Sequence, residues 1–98
     1  MYARMVIGEA NNEEQVQEFA RIYTSEVLPE LEKESGFAGA RLLVEEDGRM
    51  AVSLTVWKTR EDCVRYHCSR VYRRFVALTQ HLLIGEFVVK IFSVDAGE

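Results

Sequence analysis

This sequence has little of what marks several large protein classes. Its 98 residues contain one proline, two cysteines and one tryptophan, and Lys+Arg number 12 against 16 Asp+Glu, giving a net charge of −4. No run of lysine and arginine resembles a nucleic-acid footprint, so nucleic acid is not an expected partner. Acids or arginines interrupt every apolar stretch well short of the roughly 20 residues that cross a bilayer, and no segment reads as a signal peptide. The cysteines, Cys63 and Cys68, sit five apart on a predicted helix and point to different sides, so they cannot bridge without breaking it. Two such thiols favour reduced cysteine and a cytoplasmic protein. Cys63, His67 and Cys68 would be spread around the helix axis rather than converge on an ion, so no metal site is expected. There is no linker, repeat or low-complexity segment.

What is present is apolar residue, 48% of the chain. One domain of this length buries roughly two thirds of its unfolded surface. Several predicted strands are nevertheless apolar on both sides, which calls for cover from a second copy, a homodimer.

The centre of the pattern is the stretch 52–75. Met50, Val52, Leu54 and Val56 alternate with Ala51, Ser53, Thr55 and Trp57, the period of a strand. Thr59, followed by Glu61 and Asp62, caps a helix that carries Tyr66 and His67. Ser69 can recap the chain, and Val71, Phe75, Leu78 and Leu82 keep helical spacing towards Gly85, as one bent helix or two. Upstream, Tyr2–Glu9 reads as a strand with Ala3, Met5 and Ile7 on one side and Tyr2, Arg4 and Val6 on the other. Asn12 starts a helix whose stripe is Val16, Phe19, Ala20, Tyr23 and Val27. Pro29 should disfavour helix at Leu28 and make the helix kink or restart, with Gly36 ending it. A strand over 37–46 leads through the Asp47-Gly48 turn into the strand at Met50. A last strand covers 87–94, followed by a polar tail over 95–98. The order β-α-β-β-α-β is the split βαβ pattern of ferredoxin-like α+β domains, an antiparallel sheet with helices on one face.

Gly36-Phe37-Ala38-Gly39, together with Trp57, Thr59, Glu61, Ser69, Tyr72 and Phe75, gives a Trp-x-Ser/Thr-x-Glu and later Ser-x-x-aromatic-x-x-Phe pattern. In this the chain resembles the antibiotic biosynthesis monooxygenase family of dimeric α+β barrel proteins, over nearly its whole length. The resemblance implies one sheet from each subunit packed into a barrel, and a ligand pocket between sheet and helices in each. It implies no cofactor in the branch that oxygenates quinols and anthrone-like aromatics. The haem-degrading branch has its ligating histidine where Val76 stands, with His81 one turn further on, and its helix tryptophan where Tyr66 stands. The oxygenase branch keeps Trp57, with Ser53 four residues before it in place of an asparagine.

Such an oxygenase needs an apolar pocket, a general base and a donor for charge building on the substrate oxygen. Tyr66 is the expected donor and His67 the base or relay. Trp57, Tyr23, Ser53 and Phe75 are the expected substrate-binding wall. The leading expectation is a cofactor-independent monooxygenase of a small quinol or phenolic aromatic. The alternatives are a non-catalytic ligand-binding or stress-associated barrel protein, and an isomerase of a small carbonyl metabolite.

Overall fold

The computed structural model describes residues 1–97. Its central strand is β1 (Tyr2–Ala10), paired antiparallel with β3 (Met50–Trp57) on one side and β4 (Leu83–Ser93) on the other; β2 (Phe37–Val44) forms the far edge beside β3. The sheet order is therefore β2-β3-β1-β4, all antiparallel, the ferredoxin-like α+β arrangement expected from the element order. Register sets Tyr2 opposite Trp57, Arg4 opposite Thr55 and Val6 opposite Ser53, so these six side chains share the helix-covered face. Val52, Leu54 and Val56 lie on the other face with Met5, Ile7, Val88 and Phe92. Leu43, Val88 and Phe92 there are 48%, 51% and 45% exposed.

Helix α1 (Glu13–Ile22) starts where Asn12 accepts from the Gln15 N–H at 2.9 Å, with Glu13 and Glu14 in its first turn. Its buried stripe is Val16, Phe19 and Ile22, continued by Tyr23 and Val27. Of the two outcomes the proline suggested, a kink or a restart, the chain takes the second: a short helix starts at Leu28 without the backbone leaving helical dihedrals. Leu28 keeps helical dihedrals (φ −56°, ψ −45°), and its N–H reaches back five residues to Tyr23 in a π-helical turn, Tyr23–Val27. Widening the turn absorbs the Pro29 ring, which would crowd the carbonyl four residues earlier, and the short α2 (Leu28–Leu31) follows. Gly36 then reverses the chain at φ +78°, with Asp62 occupying the space a side chain would need.

The hairpin strand β2 stops at Val44, two residues before the expected end. Gly48 N–H closes the turn onto the Glu45 carbonyl, and Asp47 takes φ +55°. The region after β3 is two helices. Thr59 caps α3 (Arg60–His67) by accepting from Asp62 N–H, and Ser69 caps α4 (Arg70–Thr79) by accepting from Tyr72 N–H, each at 3.1 Å. The expectation that helix runs on to Gly85 is corrected: α4 ends at Thr79, whose hydroxyl turns back onto the Phe75 carbonyl, and one 3-10 turn, Gln80–Leu82, leads directly into β4. Strand β4 therefore begins at Leu83, four residues early, and Gly85 (φ +71°) lies where the β1/β4 register shifts, in a bulge rather than at a helix stop. The tail expected over 95–98 has its last residue, Glu98, outside the described residues. No helix among the described residues is long and apolar enough to cross a membrane.

Candidate functional site

The helix-covered face of the sheet does not close completely on its helices. A cleft open to solvent remains between β1, β3 and the start of β4 on one side and α1, α3 and α4 on the other. Rings form much of its wall: Phe19 and Tyr23 from the first helical segment, Tyr66 from α3, Tyr72 and Phe75 from α4, and Phe87 from β4. The polar side chains in its lining are the hydroxyl-bearing Ser53, Thr55, Thr79, Tyr23, Tyr66 and Tyr72, and one charge, Arg4.

Four of the residues expected to form the site thus line one space: Tyr66, Tyr23, Ser53 and Phe75. Ser53 Oγ and Tyr23 Oη are hydrogen-bonded at 2.9 Å, tying β3 to the first helix. Burial pushes the phenols of both Tyr23 and Tyr66 well above their ordinary range, so both stay protonated. The Tyr66 hydroxyl makes no hydrogen bond to the described residues, which leaves it available as a donor.

Trp57 and His67 lie one layer back. Trp57 is fully buried; Tyr66 stacks on it at 5.0 Å and 25°, and Phe37 meets it edge-on at 5.7 Å. Its indole N–H is committed to Thr55 Oγ1 at 2.9 Å. The half-buried His67 stacks on Tyr72, with ring centroids 5.7 Å apart. Its Nδ1 accepts from Arg4 Nη2 at 3.1 Å and from Arg4 Nε at 3.3 Å. That geometry assigns the ring proton to Nε2. Burial, and after it the Arg4 charge, holds His67 below the ordinary imidazole range, so it is neutral at pH 7.

Arg4 is the residue that sequence reasoning missed. It is 1% exposed, with its guanidinium carbon 4.0 Å from the Tyr72 ring centroid and 5.4 Å from that of Tyr66. No carboxylate among the described residues pairs with it, although five other ion pairs form elsewhere. The available signal was its phase: on β1 it alternates in step with Val6 and against Met5 and Ile7, a lone charge on the side that helices cover. Tyr72, which joins the cleft wall and carries Arg4 on its face, was visible only as part of the aromatic pattern. Cys63 is buried away from the cleft, its thiol pushed up by burial, and Cys68 is exposed. Among the described residues no three of His, Cys, Asp and Glu come together as a metal-ligand set.

A family model for antibiotic biosynthesis monooxygenase matches residues 10–78, spanning the first helix, the β2–β3 hairpin and both later helices. The chain belongs to the antibiotic biosynthesis monooxygenase family. No curated protein matches the sequence. Among solved structures, a monooxygenase from the ActVA-Orf6 gene of Streptomyces coelicolor, in complex with nanaomycin D, superimposes with a TM-score of 0.86 at 14% identity, covering 99% of this chain and 89% of that one. SnoaB of Streptomyces nogalater, a cofactor-independent oxygenase, gives 0.80 at 14% identity over 98% and 94% of the two chains. A conserved protein from Methanosarcina mazei Go1 gives 0.76 at 22% identity over 94% and 91%. At these identities the likeness establishes the shared fold.

Proposed function

We infer that this member of the antibiotic biosynthesis monooxygenase family is a cofactor-independent monooxygenase acting on a small quinol or phenolic aromatic. The observation that carries the reading is the cleft itself, walled by aromatic rings and furnished with hydroxyl donors at the position where the family resemblance implies a ligand pocket. Dioxygen reacts sluggishly with closed-shell molecules unless they give up one electron, and an ionised phenol does so far more readily than a neutral one. The overall change converts a ring C–H of the phenol into a quinone carbonyl: one oxygen atom enters the ring, the other leaves as water, and the substrate supplies all four electrons. The protein's part is to hold the ring and stabilise the oxygen on which negative charge resides.

In this reading Tyr66 donates to the substrate oxygen, Phe75 and Tyr23 pack on the ring, and Ser53 holds Tyr23. Trp57 backs Tyr66 as the second ring of a stack. His67 is the relay; because its Nδ1 lone pair faces Arg4, a proton taken there must displace the guanidinium. The apolar outer sheet face supports a homodimer closed sheet to sheet, and the unpaired cysteines fit a reducing cytoplasm. One observation favours a second reading, ligand binding without turnover: among the described residues no carboxylate or free imidazole lines the cleft to act as base. Oxygen uptake by metal-free protein with a panel of quinols, phenols and anthrones tests the choice. Turnover predicts uptake above the uncatalysed background that falls in Tyr66→Phe, with one labelled atom of ¹⁸O₂ in the product. No uptake across the panel would leave the binding protein.

A further inference from the structure

Resting on that reading of the cleft, we propose that it takes its ligand as an anion: a planar aromatic with one ionised oxygen, phenolate, enolate or carboxylate, seated against the guanidinium of Arg4. A buried arginine ordinarily faces a carboxylate, because an uncompensated charge in a protein interior costs several kcal/mol of hydration. Arg4 has instead two aromatic faces and one imidazole nitrogen, all neutral. Two of its five N–H groups converge on a single acceptor, His67 Nδ1, and Nη1 has no hydrogen-bond partner among the described residues. The residue borders the cleft, so the missing counter-charge has a place to enter.

The surroundings restrict what that counter-charge can be. Among the described residues no acid lines the cleft to compete for Arg4 or to repel an anion, and the remaining polar groups there are neutral hydroxyls, of which Ser53, Thr55 and Thr79 already donate within the protein while the tyrosines keep a proton to give. Rings on several sides favour a flat, apolar body behind the charged atom. Tyr72 stacks with the guanidinium and His67 braces it, fixing the fork without neutralising it. His67 and Arg4 are thus coupled: the imidazole accepts from the guanidinium only while neutral.

This arrangement also answers the lack of a base in the lining. An opposite charge within about 4–6 Å lowers the pKa of an acid by about 1–3 units. Against the burial that raises the Tyr23 and Tyr66 phenols, Arg4 pulls the other way, so a phenol seated on it ionises more readily than one in the same cleft without the charge; its O–H proton goes to solvent and the electron pair stays on the oxygen facing the guanidinium.

The test is binding under nitrogen, where no turnover occurs, of naphthol, its methyl ether and naphthoate. The longer-wavelength absorption of naphtholate reports ionisation of the bound phenol. Wild type is expected to bind naphtholate or naphthoate at least tenfold more tightly than the ether, and to lower the pKa of bound naphthol by about one unit or more. Arg4→Met should erase the shift and the preference of the site for the anions over the ether. Naphthoate alone showing the preference would keep the anionic-oxygen site and name a carboxylate as its ligand. The ether binding as tightly as both anions, or a pKa shift surviving in Arg4→Met, would overturn the proposal; the wild-type comparison decides it even if the variant fails to fold. Binding of none of the three, the ether included, would sink the cleft reading as well. An absence of oxygen uptake would leave this result untouched.

Discussion

Trp57→Phe separates a wall that touches ligand from one that only backs it. The indole makes three contacts that phenyl cannot reproduce in full: the N–H bond to Thr55 at 2.9 Å, the stack on Tyr66 at 5.0 Å and the edge contact with Phe37 at 5.7 Å. Loss of the hydrogen bond costs about 1 kcal/mol. Weakened aromatic pairing costs about 0.5–1 kcal/mol, and the void left by the smaller ring about 1 kcal/mol. The sum is about 2–3 kcal/mol, which for a domain of this size lowers Tm by roughly 10–20 °C. Trp57 is the only tryptophan, so unfolding should be followed by far-UV circular dichroism in both proteins, at equal chain concentration to hold any association term constant. Ligand binding should change less than about threefold, because Tyr66 stands between the indole and the cleft. A stability loss under about 1 kcal/mol would refute the packing argument. Unchanged stability with a large loss of binding would mean that Trp57 itself meets the ligand.

Arg4→Met should raise Tm by roughly 5 °C, because it removes an uncompensated buried charge at nearly constant volume, and calorimetry reads this directly. A fall in Tm would mark Arg4 as structural. His67 has a folded pKa below its unfolded value of 6.5, so the unfolded chain takes up the proton first. Its contribution to stability is complete above that value and is lost as pH falls from there through the lower folded pKa, a slope that urea titrations should find flattened in His67→Gln. Gly36→Ala meets both a positive φ and the Asp62 side chain, and should cost at least about 1 kcal/mol in chemical denaturation. Val52→Asp and Ser53→Val should have opposite effects although the residues are neighbours. By sedimentation, the first should convert a species of about twice 11.3 kDa into one of that mass, while the second should keep the mass and weaken ligand binding.

Where the sequence could be read, local chemistry was sufficient. Asn12, Thr59 and Ser69 each announce a helix by a side-chain oxygen ahead of unpaired N–H groups, and each caps one here. Asp47-Gly48 announced the hairpin in the same way. The errors lie where a distant element chose between locally acceptable conformations. Nothing around Pro29 distinguishes a broken helix from a widened π turn; the outcome depends on keeping Tyr23, Val27 and Leu31 against the core on one continuous face. Gly85 fits a helix end as well as a bulge, and only the register of β4 against β1 selects the bulge. In the site, Tyr66, Tyr23, Ser53 and Phe75 follow from strand and helix phase. The setting of Trp57 and His67 behind them does not, because strand and helix phase assign a side chain to a face and not to a depth.

Arg4 shows why one strand can carry two functions without either being plain in its sequence. Alternation along β1 and β3 places Arg4, Ser53 and Thr55 towards the helices and Met5, Val52, Leu54 and Val56 away from them. The polar residues at the centre of these strands thus lie on the side that tertiary structure buries, while the side the helices leave uncovered is mostly apolar, with Glu9, Arg41 and Lys90 among its aliphatic and aromatic side chains. For an isolated half-buried sheet the opposite choice would be the natural one. Inversion is stable only if something else covers the apolar face and something else answers the buried charge. The proposed second copy of the chain would meet the first requirement and the proposed anionic ligand the second, so the two faces of the sheet call for different partners.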